Sequence, residues 1–202
     1  MEEKLIKVIE IAKLLFDRGL VTGMTGNISF RDKEYIYISK SGSCFKYLNK
    51  DSFAKISLKD NLVEGKPSKE YPIHMELYKK NEDTNCVVHT HSINSVLISA
   101  LKNINNEKKE LFLYTPYLKM KIGNQIGIVD YFEPGTNELF ENFKKTVRTN
   151  CKLYLLRNHG LVVCGKTSME GFDIIEEFEQ SCKILLSIKQ YKEEDFKKIN
   201  RT

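Results

Sequence analysis

The segment KLYLLRNHGLVVCGK, residues 152–166, contains two apolar runs separated by Asn158, His159 and Gly160. Short apolar runs that are interrupted by turn-prone residues predict two adjacent β-strands. A third apolar run, at residues 86–88, ends in the motif VVHTHS. Because a buried strand must pair with neighbours and be covered by other elements, these runs constrain the chain to build a sheet with helices packed on it.

Helices and further strands are predicted around these runs. Helical spacing covers residues 1–18, 68–81, 92–101, 134–147 and the segment that begins at Thr167. Strand-like patterns cover residues 34–42, 53–58, 61–66 and 127–132, whereas residues 103–126 have no clear period. Short antiparallel strand pairs mixed with helices predict an α/β sandwich without internal repeats.

The length of 202 residues favours one domain spanning 1–202. No apolar run reaches membrane-spanning length, and the first residues form a helix face rather than a signal peptide. The five cysteines are odd in number and widely spaced, which favours reduced thiols and a cytoplasmic location over a disulfide framework. We therefore expect no membrane partner.

The net charge of +5 does not by itself indicate a nucleic-acid partner. The lysines are spread along the chain and interleaved with acidic residues, and no RNA-binding signature is present. A solvated, lysine-rich surface explains this pattern, and its positive potential would also attract an anionic substrate.

The histidines of the motif VVHTHS are candidate metal ligands. His89 and His91 are two residues apart at the end of a strand, so their side chains are predicted to point to the same side. His159 is the natural third ligand, because it lies between two strands beside a glycine that lets the backbone turn. Each histidine taken alone is better explained as an isolated, hydrogen-bonded residue, but the three together favour a metal site.

Glu70 and His74 lie near the start of the predicted helix 68–81. Glu70 is the carboxylate closest in sequence to the histidine pair, although an acid in this position is also typical of the first turn of any helix. His74, four residues later, is equally well explained as a packed, hydrogen-bonded side chain.

Two loops contain the hydroxyl groups and glycines that can surround a phosphate, at residues 25–29 and 39–42. Most such loops are plain turns. Ser68 and Lys69, just before Glu70, would add a donor and a positive charge.

Five motifs, TGNIS, SKSG, PSKE, VVHTHS and RNHGLVV, occur in this order across nearly the whole chain. In this respect the sequence resembles the class II aldolase/adducin family. The resemblance implies a three-layer α/β/α sandwich with a mainly antiparallel central sheet, and a homotetramer with active sites between subunits. It also implies one Zn²⁺ held by His89, His91 and His159, with Glu70 as the catalytic acid/base. The positions that match the family's phosphate site are Gly26, Asn27, Ser41, Gly42, Ser68 and Lys69.

The chemistry expected of such a site is carbon–carbon cleavage in a phosphorylated sugar or sugar acid. A metal that polarises a carbonyl lets the adjacent bond break and leave its electrons as an enediolate. If carbon dioxide leaves, the reaction is that of a 3-oxo-tetronate 4-phosphate decarboxylase, and if an aldehyde leaves it is a class II aldolase reaction of the L-fuculose-1-phosphate type. Both yield dihydroxyacetone phosphate.

Departures from the aldolase pattern favour the decarboxylase branch. Met24 replaces a phosphate-binding threonine, and the tail FKKINRT lacks a tyrosine, with Tyr191 further upstream. The segments SKEY and YTPYLKMKIG are similar to the decarboxylases, so the lysine beside the glutamate, which here is Lys69, is expected to contact a substrate carboxylate. Residues of the second segment, namely Tyr117, Lys119 and Lys121, are expected to contact that carboxylate or a hydroxyl. A non-catalytic, adducin-like interaction module is the least favoured interpretation, because all three histidines and the glutamate are present.

Overall fold

A computed structural model describes residues 1–190 of the chain; Tyr191 and the tail FKKINRT lie outside these residues. The strands are β1 (Asn27–Asp32), β2 (Tyr35–Ser39), β3 (Phe53–Ser57), β4 (Val63–Glu64), β5 (Cys86–Thr90), β6 (Gly127–Val129), β7 (Leu153–Leu156) and β8 (Gly160–Gly165). The helices are α1 (Glu2–Asp17), α2 (Tyr71–Lys80), α3 (Ile93–Ser99), α4 (Ile104–Glu107), α5 (Tyr117–Ile122), α6 (Asn137–Thr146) and α7 (Ser168–Ile188). Within residues 1–190, no helix is both long and apolar enough to cross a bilayer.

The eight described strands form one sheet in the order β4-β3-β2-β1-β5-β8-β7-β6. Every neighbouring pair is antiparallel except β6 and β7. The mainly antiparallel sheet predicted above is confirmed. The run at residues 152–166 forms the hairpin of β7 and β8, in which Leu156 pairs with Gly160.

Two apolar cores lie on opposite faces of this sheet. One core joins the sheet to α1, α3 and α7 and contains Val88 and Phe178. The other joins it to α2 and α6 and contains Val87 and Phe143. Consecutive residues of β5 thus enter different cores, as the period of two in a strand requires. The predicted three-layer sandwich is confirmed.

The helix boundaries follow local signals in the sequence. Gly19 adopts a positive φ of 70° directly after α1, and Leu20 donates its N–H to the carbonyl of Leu15 over 2.9 Å. Pro72 lies in the first turn of α2, where its missing N–H costs no hydrogen bond. Glu70 precedes α2 as its N-terminal cap residue, but its side chain makes no capping hydrogen bond. The carboxylate is therefore not used to stabilise the start of the helix.

Candidate metal centre and substrate cavity

Neighbouring strands bring the three predicted histidine ligands together. His89 lies in β5 and pairs with Asn27 of β1 on one side and Val162 of β8 on the other. His91 follows β5 directly, and His159 precedes β8 directly. Because β5 and β8 are antiparallel, the end of one lies beside the beginning of the other, so both histidines emerge at the same edge of the sheet.

Glycines allow the backbone to come close to these histidines. Gly26 has φ +75°, and a Cβ atom there would lie 2.6 Å from the carbonyl oxygen of His89. Gly160 follows His159, and its Cβ would lie 2.3 Å from the carbonyl oxygen of Thr90. Real Cβ atoms do not approach a backbone oxygen this closely, so both positions require glycine for steric reasons.

The side chains of His89, His91, His159 and Glu70 form one cluster. Nε2 of His89 lies 2.8 Å from Nε2 of His91 and 3.3 Å from Nε2 of His159. The two carboxylate oxygens of Glu70 lie 3.2 Å from His89 Nε2 and 3.4 Å from His159 Nε2. The four ligand atoms are all within 4.8 Å of one another. A single divalent cation can therefore contact all of them.

The nitrogen and oxygen atoms of this cluster are better suited to binding a metal ion than to hydrogen bonding with one another. The Nδ1 atom of His89 lies 2.9 Å from the carbonyl oxygen of Leu161, so Nδ1 carries a proton and Nε2 is the nitrogen that faces the cluster. Oε1 of Glu70 and Nδ1 of His159 are buried and have no hydrogen-bond partner within residues 1–190. A cation accepts lone pairs from imidazoles and carboxylates at once, which explains why they converge.

The electrostatics of the cluster favour a cation. Burial opposes ionisation of Glu70, but the neighbouring imidazoles outweigh it and lower its pKa to about 2. Burial, together with the other histidines, lowers the pKa of His91 to about 3 and that of His159 to about 4. Burial also disfavours protonation of His89, but the Glu70 carboxylate raises its pKa above the ordinary value. At neutral pH the cluster thus offers a carboxylate and two neutral imidazoles, and metal binding would displace the proton that His89 tends to hold.

A cavity of about 460 Å³ opens beside the cluster. Backbone contacts join two segments of its wall, since Ser68 donates its N–H to the carbonyl of Ser39 over 3.1 Å and Lys40 forms a β-bridge with Pro67. All six residues predicted to surround a phosphate line this cavity, namely Gly26, Asn27, Ser41, Gly42, Ser68 and Lys69. Glu70, His91 and His159 line it as well.

The cavity wall also contains residues that the sequence motifs do not indicate. Pro134 and Gly135 come from the turn before α6, and Asn158 comes from the hairpin between β7 and β8. Asn158 has φ +54°, a conformation that asparagine tolerates better than most residues. Its position beside His159 is the one local signal for it, whereas nothing local to residues 134–135 indicates which cavity they face.

The predicted contacts of the segment around α5 are not made within one chain. Tyr117 is 58% exposed and is not among the residues lining the cavity. Lys119 does not line the cavity either, and Lys121 forms an ion pair with Asp173 of α7. A substrate bound beside the cluster would therefore meet these three side chains only if they came from a neighbouring subunit.

Comparisons with known proteins agree with this geometry. The family described as Class II Aldolase and Adducin N-terminal domain matches residues 6–186. An L-fuculose phosphate aldolase of Methanocaldococcus jannaschii is 34% identical over 178 residues, which cover 88% of this chain and 93% of that protein. A 3-oxo-tetronate 4-phosphate decarboxylase of Haemophilus influenzae is 31% identical over 188 residues, covering 92% and 88%.

Solved structures share the fold. A sugar-phosphate aldolase from Thermotoga maritima superposes with a TM-score of 0.84 at 22% identity, over 94% of this chain and 96% of that one. The family match spans most of the chain, and the histidine and glutamate side chains of the resembling motifs meet in one cluster that could hold a metal ion. The chain therefore belongs to the class II aldolase family and is a metal-dependent lyase.

Proposed function

We propose that the chain is a zinc-dependent decarboxylase that converts a 3-oxo-tetronate 4-phosphate to dihydroxyacetone phosphate and carbon dioxide. The observation that carries the proposal is the position of Lys69. It borders the cavity directly beside Glu70, and its ammonium group makes no hydrogen bond or ion pair within residues 1–190. A free cation next to the metal cluster suits a substrate that carries a carboxylate in addition to its phosphate.

Three imidazoles and one carboxylate are the ligand set that favours zinc as the metal. The residues that would hold it are His89, His91, His159 and, before substrate binds, Glu70. When bound, the metal supplies Lewis-acid polarisation of a substrate carbonyl.

The loops of the cavity suit the phosphate group. The hydroxyls of Ser41 and Ser68 would serve as donors, and glycines at positions 26 and 42 would let an anion approach the main chain. This arrangement would anchor one end of the substrate, so that the carbonyl at the other side of the molecule lies at the cluster.

Glu70 is proposed to transfer the proton that the reaction requires. Breaking the bond to the carboxylate releases carbon dioxide and leaves an electron pair on the carbon beside the carbonyl. That carbon must gain one proton to give dihydroxyacetone phosphate. Glu70 is the carboxylate of the cluster, so it would deliver this proton, which comes from solvent, to that carbon.

The second candidate is an aldolase of the L-fuculose-1-phosphate type. It is favoured by the names of several relatives at 34–37% identity, whereas the relatives named as decarboxylases are 31–32% identical. The same cluster would serve it, because aldol cleavage also breaks a carbon–carbon bond next to a carbonyl. The two reactions differ in whether a carboxylate or a hydroxylated carbon departs.

Release of dihydroxyacetone phosphate tests both candidates. The zinc-loaded protein is offered 3-oxo-tetronate 4-phosphates and ketose 1-phosphates in parallel, and the His91→Ala protein is the blank. Product from the acids alone is the expected result. Product from the ketose phosphates alone would replace the decarboxylase by the aldolase, and product from neither would contradict both.

Replacing Lys69 by methionine is expected to raise KM for the acid substrate by about tenfold or more, because one hydrogen bond to a charged group contributes about 1.5–3 kcal/mol. The matched control is Lys59→Met, which removes an exposed lysine in the turn between β3 and β4, away from the cavity. Steady-state kinetics of both variants provide the comparison. Equal KM values in Lys69→Met and the parent protein would show that Lys69 does not bind the carboxylate.

The protein is also proposed to form a homotetramer and to be located in the cytoplasm. A homotetramer with sites between subunits would place Tyr117, Lys119 and Lys121 of one subunit near the cavity of another, and light scattering of the purified protein measures its mass. All five cysteines are free thiols, which supports a reducing compartment such as the cytoplasm.

A further inference from the structure

A line of buried polar side chains runs behind Glu70, between α2 and β1. Glu70, His74 and Tyr78 are four residues apart and share one face at α2, whereas Asn27 and Ser29 are two residues apart and share one face of β1. All five are less than 10% exposed. The two spacings match the periods of a helix and a strand, so two elements present their polar groups to each other.

The side chains form a continuous hydrogen-bonded chain. Asn27 Nδ2 lies 3.3 Å from Glu70 Oε2, and Asn27 Oδ1 lies 2.5 Å from His74 Nε2. Nδ1 of His74 lies 2.7 Å from the hydroxyl of Ser29, which lies 2.8 Å from the hydroxyl of Tyr78. Both ring nitrogens of His74 are therefore used.

Each hydrogen bond in this series is donated in the direction that leads from Tyr78 to Glu70. A carboxylate only accepts, so the amide nitrogen of Asn27 faces it and the amide oxygen accepts from His74 Nε2–H. Burial lowers the pKa of His74 to about 3, so the ring is neutral and its Nδ1 accepts from Ser29. Burial also raises the pKa of Tyr78 well above its usual value, so its hydroxyl stays protonated and donates to Ser29.

His74 thereby selects one orientation of the Asn27 amide. With the amide reversed, the N–H₂ group would face the N–H of His74 and the oxygen would face the Glu70 carboxylate, and both contacts would be repulsive. The two oxygens of Glu70 become distinct as a result. Oε2 receives a hydrogen bond, whereas Oε1 has no such partner in the described part of the chain.

The stability of the fold does not by itself explain why these hydrogen-bonded side chains are buried here. The core around it is apolar, with Ile73, Leu77 and Val87 among its members. Replacing a set of buried hydrogen-bonding partners by apolar groups of similar shape is often close to neutral for stability. These hydrogen-bonded side chains instead fix the orientation of one carboxylate, that of Glu70.

We propose that His74 is a positioning residue, which acts through Asn27 to hold the Glu70 carboxylate in the orientation that ligates the metal and transfers the proton. The inference rests on the role proposed above for Glu70. It extends the site to Ser29, His74 and Tyr78, which belong neither to the metal cluster nor to the cavity lining.

The test is a double-mutant cycle in metal affinity, measured by titration with Co²⁺ against a competing chelator. His74→Leu is expected to weaken Co²⁺ binding by about 10- to 100-fold, the range typical of residues that orient a metal ligand. Glu70→Gln should also weaken binding. The double variant should bind no more weakly than Glu70→Gln alone, because His74 acts only through the carboxylate. His74→Gln, which keeps a donor toward Asn27, should largely restore affinity.

Two smaller substitutions test the same proposal if the His74→Leu protein does not fold. Ser29→Ala removes the partner of His74 Nδ1, and Ser99→Ala removes a serine hydroxyl that is equally buried but bonded to the carbonyl of Val96 in α3. Ser29→Ala is expected to weaken Co²⁺ binding about threefold or more, and Ser99→Ala to leave it unchanged. Equal affinities in both variants would overturn the proposal.

Other outcomes are equally decisive. Unchanged affinity in a folded His74→Leu protein, or a loss in the double variant equal to the product of the single losses, would make His74 a packing residue. These titrations need no substrate, so coupling without any release of dihydroxyacetone phosphate by the parent protein would uphold the positioning role and contradict the proposed reaction. In an active protein, His74→Leu should lower kcat and leave KM nearly unchanged.

Discussion

Replacement of His91 by alanine is expected to abolish turnover and leave the fold intact. His91 lies beyond the end of β5, and its Nε2 contacts the cluster rather than either apolar core. Loss of a Lewis acid removes several kcal/mol of transition-state stabilisation, and each 1.36 kcal/mol changes the rate tenfold. We therefore expect turnover to fall by about 10³-fold or more, as measured by steady-state kinetics on the metal-loaded protein.

Glu70→Gln and a chelator provide the controls for this result. Glu70→Gln keeps three imidazoles, so it should still bind the metal, though more weakly, and lose most turnover. Treatment with a chelator should remove activity without changing the circular dichroism spectrum, because a catalytic metal is not needed for folding. If the metal were structural, the chelator would unfold the protein. Turnover in His91→Ala equal to that of the parent protein would show that the cluster is not the catalytic centre.

Gly160→Ala is expected to destabilise the protein by about 3 kcal/mol, near the upper end for overpacking a core. The new Cβ would lie 2.3 Å from the carbonyl oxygen of Thr90 and 3.0 Å from Cδ2 of His91. The backbone cannot give way locally, because Thr90 pairs with Leu161 in the centre of the sheet. Urea denaturation measures the stability, and a Co²⁺ titration should show weaker metal binding in the same variant.

Gly171→Ala is the matched control for the added methyl group. Gly171 lies inside α7, and its Cβ would make an ordinary contact of 3.5 Å with Cγ2 of Val88. Alanine is favoured over glycine in a helix by about 1 kcal/mol, so this variant should be as stable as the parent protein or slightly more stable. A Gly160→Ala protein of parental stability would contradict the steric argument.

The sequence predicts the histidine cluster well, because its geometry follows from short-range rules. A period of two places His89 and His91 on one side, and a strand–turn–strand pattern places His159 at a strand end. The same rules do not reveal the chain of Asn27, Ser29 and His74, although its spacings are present in the sequence. Their meeting depends on which face of β1 packs against α2, and this is fixed only when the whole sheet assembles.

The middle of the chain is difficult to predict from sequence for a different reason. Residues 103–126 form α4, a 3₁₀ turn at Glu110–Phe112 and α5, none of which exceeds six residues. Elements of one or two turns are too short to display a hydrophobic period. Their position is determined by packing rather than by local propensity, because α5 and the 3₁₀ turn contact α7, and α4 contacts the 3₁₀ turn.

The cluster and the cavity wall are built from different kinds of structure. The imidazoles are fixed by the paired backbones of β5 and β8, whereas much of the cavity wall consists of the connecting residues 40–42, 68–69 and 134–135. Changes in connecting segments are tolerated far better than changes in a central sheet. Substrate choice in this scaffold can therefore be re-engineered by exchanging these loops, while the reactive centre is inherited unchanged from the sheet.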